Sequence, residues 1–265
     1  MIKFLRNILY EPSILNQNVN GQELFHLHKK AISKKKLLIS AFATAYQTML
    51  KLSDKYFKIK GMEVELGSGV GFIKKFRNRI KTSDIRPGND SELRIDAQKM
   101  KLKTNSTKCI YAINVFHHLP DPKKFLDELC RVLKKGGGVV LIEPHNGFFS
   151  SLVHKYLSKD EQYMPNIKSW KNKKISGPLF GANQALSYIV FERDLSKFNK
   201  IYGNRLQIVH KTYVLNFLRY FLSGGLNFRE LLPFFFNPFL TFIEILCRPF
   251  AKFCSLHQVI VLKRI

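Results

Sequence analysis

Apolar positions along the chain change period near residue 60. Residues 1–58 read as helical and polar-basic, and the apolar residues of the stretch LLISAFATAYQTML (37–50) recur at the spacing of one helix face. From Gly61 onward, short apolar runs of strand type (62–66, 94–97, 109–116 and 137–144) alternate with stretches that read as helical (73–80 and 125–135). Such alternation predicts an α/β architecture with a mostly parallel sheet. One helix is specified in detail. Asp121 is placed to cap it, Pro122 stands at its first position, and Phe125, Leu126, Leu129, Val132 and Leu133 form its apolar stripe. Lys134 and Lys135 are expected in its last turn, with Gly136 to Gly138 ending it. The alternation then lapses over 145–205, which reads as an insertion. Strand signals return at 206–214 and 257–264, separated by an aromatic stretch at 215–256.

Composition narrows the class. With 265 residues, 45% of them hydrophobic and 24% charged, the chain has ample apolar surface to offset the entropy of ordering, so a wholly disordered protein is excluded. The four cysteines, Cys109, Cys130, Cys247 and Cys254, form no CxxC pair. Neither a zinc ribbon nor a redox motif is encoded, no metal site is expected, and a reducing, cytoplasmic setting is the simplest expectation. The first residues lack a continuous apolar core and a small-residue cleavage site, so a signal peptide is not expected. No apolar run reaches the roughly 18 residues of a spanning helix. Lys and Arg number 44 against 19 Asp and Glu, a formal charge of +25. That charge attracts nucleic acid, phosphorylated substrates or an anionic membrane face, and it is also what a lysine-rich coding bias would leave on solvated helix faces.

The sharpest chemical signal is Val64-Glu65-Leu66-Gly67-Ser68-Gly69-Val70-Gly71 at a strand end. Glycines at this spacing let the backbone turn tightly and approach a ligand closely. The third glycine of a dinucleotide fingerprint would fall at position 72, which is Phe. Glu65 adds an acid at the strand end, suited to accept from an ammonium. Here the sequence resembles the class I S-adenosylmethionine-dependent methyltransferases, of the type 11-like group, over about residues 60–146. The resemblance implies a Rossmann-like fold with a seven-stranded, mostly parallel sheet and flanking helices: a helical cap at 1–58, and a methyltransferase domain at 59–265 carrying the insertions at about 145–205 and 215–256. It implies S-adenosylmethionine as cofactor, held by Glu65, Gly67, Gly69 and Gly71. Asp84 would accept from both ribose hydroxyls, a task suited to a carboxylate. Asp96-Ala97 would meet the adenine, and Asn114 would mark the fourth strand end beside the transferred methyl.

For proton transfer, His117 and His118 stand where a base could act, since an imidazole titrates near neutral pH. Glu143 and His145 are alternative bases; packing or capping of the loop is the competing use for His117 and His118, and solvation is that for an acid on a loop. The strings at 177–183, 189–194 and 222–225 resemble a bacterial subgroup often encoded beside polysaccharide and surface-glycan genes. The acceptor is therefore expected to be a small molecule, a sugar or a lipid-linked glycan, methylated on oxygen or carbon. Nucleic acid is the weaker candidate, because position 114 begins Asn-Val-Phe-His rather than the motif of exocyclic-amine methylation, and no cysteine follows a proline. An RNA methyltransferase and a non-catalytic, membrane-associated scaffold remain the alternatives. Both insertions leave strands at the carboxyl end of the sheet, where acceptors bind. The second carries Phe234, Phe235, Phe236, Phe239 and Phe242, read either as a core or dimer interface, or as a surface dipping into an anionic membrane.

Overall fold

The computed structural model describes residues 2–86, 90–172 and 175–265, without the side chains of residues 2–5. In chain order the elements are α1 (Ile2–Leu9), α2 (Gln22–Lys34), α3 (Lys36–Tyr56), β1 (Met62–Leu66), β2 (Lys81–Asp84), β3 (Leu93–Arg94), β4 (Thr107–Ile113), α4 (Pro122–Val132) and β5 (Leu133–Pro144). There follow α5 (Phe148–Leu157), α6 (Leu186–Tyr188), α7 (Leu195–Tyr202), β6 (Leu206–Tyr213), α8 (Phe217–Leu222), α9 (Asn237–Leu246), α10 (Ala251–Cys254) and β7 (His257–Arg264). Seven strands form one sheet in the order β3-β2-β1-β4-β5-β7-β6, parallel except for β7, which runs antiparallel to both β5 and β6.

The central strands are apolar at consecutive positions because both faces of the sheet are covered. In β4, Ile110 and Ala112 face a core completed by Phe125, Leu126 and Leu129 of α4. Cys109 and Tyr111 face the opposite core, built on Ala45, Tyr46, Met49 and Leu50 of α3. The long N-terminal helix is therefore a structural layer of the sheet. It also explains a departure from expectation: 73–80 forms only a short 3-10 turn, Ile73–Lys75, because Ile73 and Ile80 pack into a face that α3 already fills.

Helix α4 starts as expected, with Asp121 accepting from the Lys123 amide. Its end differs. Lys134, Lys135 and the three glycines belong to β5, whose first residue pairs with Thr107. The glycines serve close approach between strands: a Cβ on Gly138 would lie 2.1 Å from the Leu262 carbonyl oxygen and 2.4 Å from the Phe57 ring. Segment 145–205 has two parts. Its latter part, α6, the π turn Ile189–Arg193 and α7, is a crossover element whose Leu186, Ile189, Val190, Phe191 and Phe198 lie in the main core. Residues 158–172 and 175–185 run over the carboxyl end of the sheet.

That end is closed from three sides. The N-terminal segment is stitched to the loop before α9 by the amides of Glu11 and Arg229, which donate to the carbonyls of Asn227 and Leu9, and by a T-shaped Tyr10–Phe228 contact. His28 bonds Asn227, and the buried Lys35 ammonium donates to the carbonyls of Gly225 and Phe228.

Candidate active site

Two cavities lie at the carboxyl ends of the strands. The first, about 250 Å³, is lined by Glu65, Gly67 to Gly71, Arg86, Asn114 and His118, under a roof of Tyr10, Leu24, Phe25 and His28. The second, about 230 Å³, is lined by Asn114, His117, Pro144, His154, Gln184 and His257, with walls from α5, α8 and residues 224–231. Asn114, Glu161, Tyr10 and Tyr220 are among the residues that line both and so belong to the partition.

The glycine loop has the backbone its sequence demands. Gly67 and Gly69 have φ of +62° and +47°, and a Cβ on Gly67 would lie 2.5 Å from Val115. At Gly71 a Cβ would lie 2.1 Å from the Tyr46 hydroxyl. Glu65 is buried, and one of its carboxylate oxygens has no partner. Burial pushes its pKa up to about 7, against the lowering effect of Ser68 and Tyr46. Asn114 turns through a left-handed conformation, φ +55°, and its side-chain oxygen is likewise buried and without a partner. Orphaned acceptors beside glycines that keep the backbone open fit a ligand bearing a cationic amine.

The structure places three expected cofactor residues differently. All four acceptor positions of Asp84 are engaged: the amides of Gly69 and Arg86 donate at 3.0 and 2.9 Å, and the Arg86 guanidinium donates at 3.2 and 3.1 Å. The guanidinium, which also lies 5.6 Å from the Phe25 ring centroid, stands in the cavity wall ahead of the carboxylate. A diol reaches Asp84 only when Arg86 swings aside. Asp96 accepts from the Gln98 amide, and Ala97 lies in the main core, so neither lines the cavity.

Glu143 has a different job from that of a base. Fully buried, it accepts from the amides of Val115, Phe116 and His117 at 2.8–3.2 Å and from His117 Nδ1 at 2.7 Å. It therefore anchors the 3-10 turn Phe116–His118 beneath the site. Because Nδ1 donates to this carboxylate, His117 directs Nε2 toward Glu161, 3.8 Å away. Burial disfavours the imidazolium, but Glu143 and then Glu161 outweigh it and raise the His117 pKa. His118 Nε2 lies 3.5 Å from the same Glu161. Burial and the neighbouring His117 lower its pKa to about 4. His145 packs on Tyr213 and bonds the Lys252 carbonyl oxygen.

Glu161, Arg86, Tyr46 and Tyr220 carried no signal in the sequence. Glu161 lies in an irregular segment, and the others read as surface or core positions until the cap closes.

Residues 65–141, from the glycine loop into β5, match the family model of a methyltransferase domain. The sheet, whose seventh strand is inserted antiparallel between the fifth and sixth, has the Rossmann-like class I methyltransferase fold, and the match places a methyltransferase domain on its first five strands. No curated protein matches the sequence. Among solved structures, geranyl diphosphate C-methyltransferase from Streptomyces coelicolor is 11% identical, with 97% of this chain and 89% of that chain covered and a TM-score of 0.49. Phosphoethanolamine N-methyltransferase 2 from Haemonchus contortus is 12% identical over 83% of this chain and 52% of that chain, with a TM-score of 0.41. A methyltransferase from Aquifex aeolicus is 16% identical over 80% and 88%, with a TM-score of 0.39.

Proposed function

We propose that the chain methylates an oxygen or carbon of an amphiphilic acceptor, a lipid-linked glycan intermediate or a related small molecule, while resting on the anionic cytoplasmic face of a membrane. One observation carries this reading: the elements that wall the second cavity also support an exposed aromatic surface. Phe234, Phe235, Phe236, Phe239, Phe242, Ile245, Leu246, Phe250 and Phe253 are all exposed, and Phe148 and Leu152 of α5 add to them. A core role for the exposed aromatics is thereby ruled out. No single helix among the described residues is long and apolar enough to cross a membrane, and the helical segments 234–246 and 248–254 meet at a 63° bend. A bent apolar surface flanked by Arg248 and Lys252, on a chain of charge +25, suits the headgroup boundary.

S-adenosylmethionine, when bound, supplies a methyl group on a sulfonium sulfur. In this reading Glu65 and Asn114 hold the cofactor's amino-acid portion, and Gly67, Gly69 and Gly71 give it room. The cap residues Tyr10, Leu24 and Phe25 exclude water. His117 and His118 face the acceptor from the partition, and alignment across Asn114 contributes through proximity.

The test is transfer of labelled methyl groups from S-adenosylmethionine into a fractionated lysate of a strain lacking the protein, with purified protein added. Label in the lipid or glycan fraction supports the reading. Label in RNA would overturn it and make the basic charge the better guide to the acceptor.

A further inference from the structure

We propose that His117, His118 and Glu161 form a site for one divalent transition-metal ion of the Zn2+ kind, set in the partition between the two cavities. One ligand atom from each of the three residues lies within 4.8 Å of the other two. The Glu161 oxygens are 3.8 Å from His117 Nε2 and 3.5 Å from His118 Nε2. Ligands at about 2.0–2.2 Å around a tetrahedral ion stand about 3.4 Å apart, a spacing that both carboxylate–imidazole pairs already approach.

The surroundings are those of a metal site. His117 donates Nδ1–H to Glu143, which fixes the ring and leaves Nε2 as the outward donor, the arrangement that supports histidine ligands elsewhere. Glu161 is in turn held by the Gln184 side-chain amide. Glu143 pins the turn bearing the histidines, and the amides of Asn183 and Gln184 donate to the carbonyls of His117 and Gln162, fastening the strand-like segment beside Glu161 to that turn. Two histidines and a carboxylate leave at least one coordination position open, the pattern of sites that bind an exchangeable ligand. Glu161 faces both cavities, His117 the second and His118 the first, and the unpartnered oxygen of Asn114 faces both. The open position is therefore offered to an oxygen donor of the acceptor. That last use rests on the methyl-transfer reading, whereas ion binding does not.

The experiment uses the full, untagged chain, stripped with chelator, dialysed, and titrated with ZnCl2 by calorimetry and with Co2+ by visible absorption. One equivalent of each ion is expected to bind, Co2+ with the d–d bands of a four- or five-coordinate nitrogen and oxygen site. His118→Ala and Glu161→Gln are each expected to weaken binding by about tenfold or more, while the exposed-site variant Glu92→Gln binds as the parent does. Absence of a stoichiometric ion, or unchanged affinity in both His118→Ala and Glu161→Gln with native circular dichroism, overturns the assignment. S-adenosylmethionine binding, followed in the same samples, separates the two readings. Zinc without cofactor uptake supports the metal site while removing the methyl-transfer reading, and cofactor uptake without zinc does the reverse.

Discussion

Replacing Phe235 by serine tests the proposed membrane contact at its most prominent point. Its ring is 84% exposed. A phenylalanine of about 200 Å² therefore has about 170 Å² available for transfer out of water, worth ~4 kcal/mol if it passed wholly into hydrocarbon. An interfacial segment inserts its apolar face only part way, so about half of that, ~2 kcal/mol, is the expected loss, or about 30-fold in partitioning. Phe239 and Phe242, each 59% exposed, reinforce the contact, and the triple serine variant should abolish measurable binding. The assay is co-sedimentation with vesicles of phosphatidylcholine and phosphatidylglycerol, repeated at high salt. The basic residues should make binding of the parent salt-sensitive, while the contribution of Phe235 persists. Sedimentation velocity on the same proteins reports the competing use of the patch. Unchanged partitioning of F235S, together with conversion of a parental dimer into monomer, would refute the membrane assignment and make the patch a subunit interface.

Three further outcomes follow from buried titratable groups. Burial raises the Glu65 pKa to about 7, and a bound ammonium favours its ionised form, so affinity for S-adenosylmethionine should rise with pH and flatten above about pH 7, with proton release seen by calorimetry in buffers of different ionisation heat. Glu65→Gln should weaken binding and remove that slope. Glu244→Ala strands Arg219, whose Nε donates to the fully buried Glu244 carboxylate at 2.7 Å; about 3 kcal/mol of stability and about 6–12 °C of melting temperature should be lost by calorimetric scan. Burial lowers the pKa values of His28, His118 and His257 to about 4 and of His154 to about 3. The unfolded chain gains these protons near pH 6.5 and the folded chain does not, so their contribution is complete above pH 6.5 and is lost as the pH falls toward 4. Urea midpoints across that range should fall steadily; a flat profile would contradict the neutral, buried state of these rings.

Most of the sheet was legible because its strands, apart from the polar β2 (Lys-Thr-Ser-Asp), are apolar runs separated by turn chemistry, and because Asp121-Pro122 marks a helix start. Gly136 to Gly138 were misleading, since a glycine run after a helix reads as a stop when only local chemistry is considered. The Leu262 carbonyl oxygen that requires Gly138 comes from a strand more than a hundred residues away. The helix expected after the glycine loop shrank to one turn for a similar reason: α3, remote in sequence, already occupies the face it would cover. At the candidate site the glycines and Glu65 were readable from spacing. The engagement of Asp84 by Arg86 and the burial of Glu143 under its own turn depend on side-chain directions that spacing does not encode. Glu161 was invisible because an acid in a polar, irregular segment looks like any solvated acid until the fold carries it to the two histidines.

The backbone bonds joining residues 9–11 to 227–229 give the roof and the aromatic excursion a common fastening. The roof over the first cavity cannot lift without parting these bonds or dragging that excursion with it. On the proposed membrane-bound reading, whatever grips the aromatic surface also loads the latch over the first cavity, so the rate at which the cofactor or its spent form exchanges would be a property of where the protein is seated.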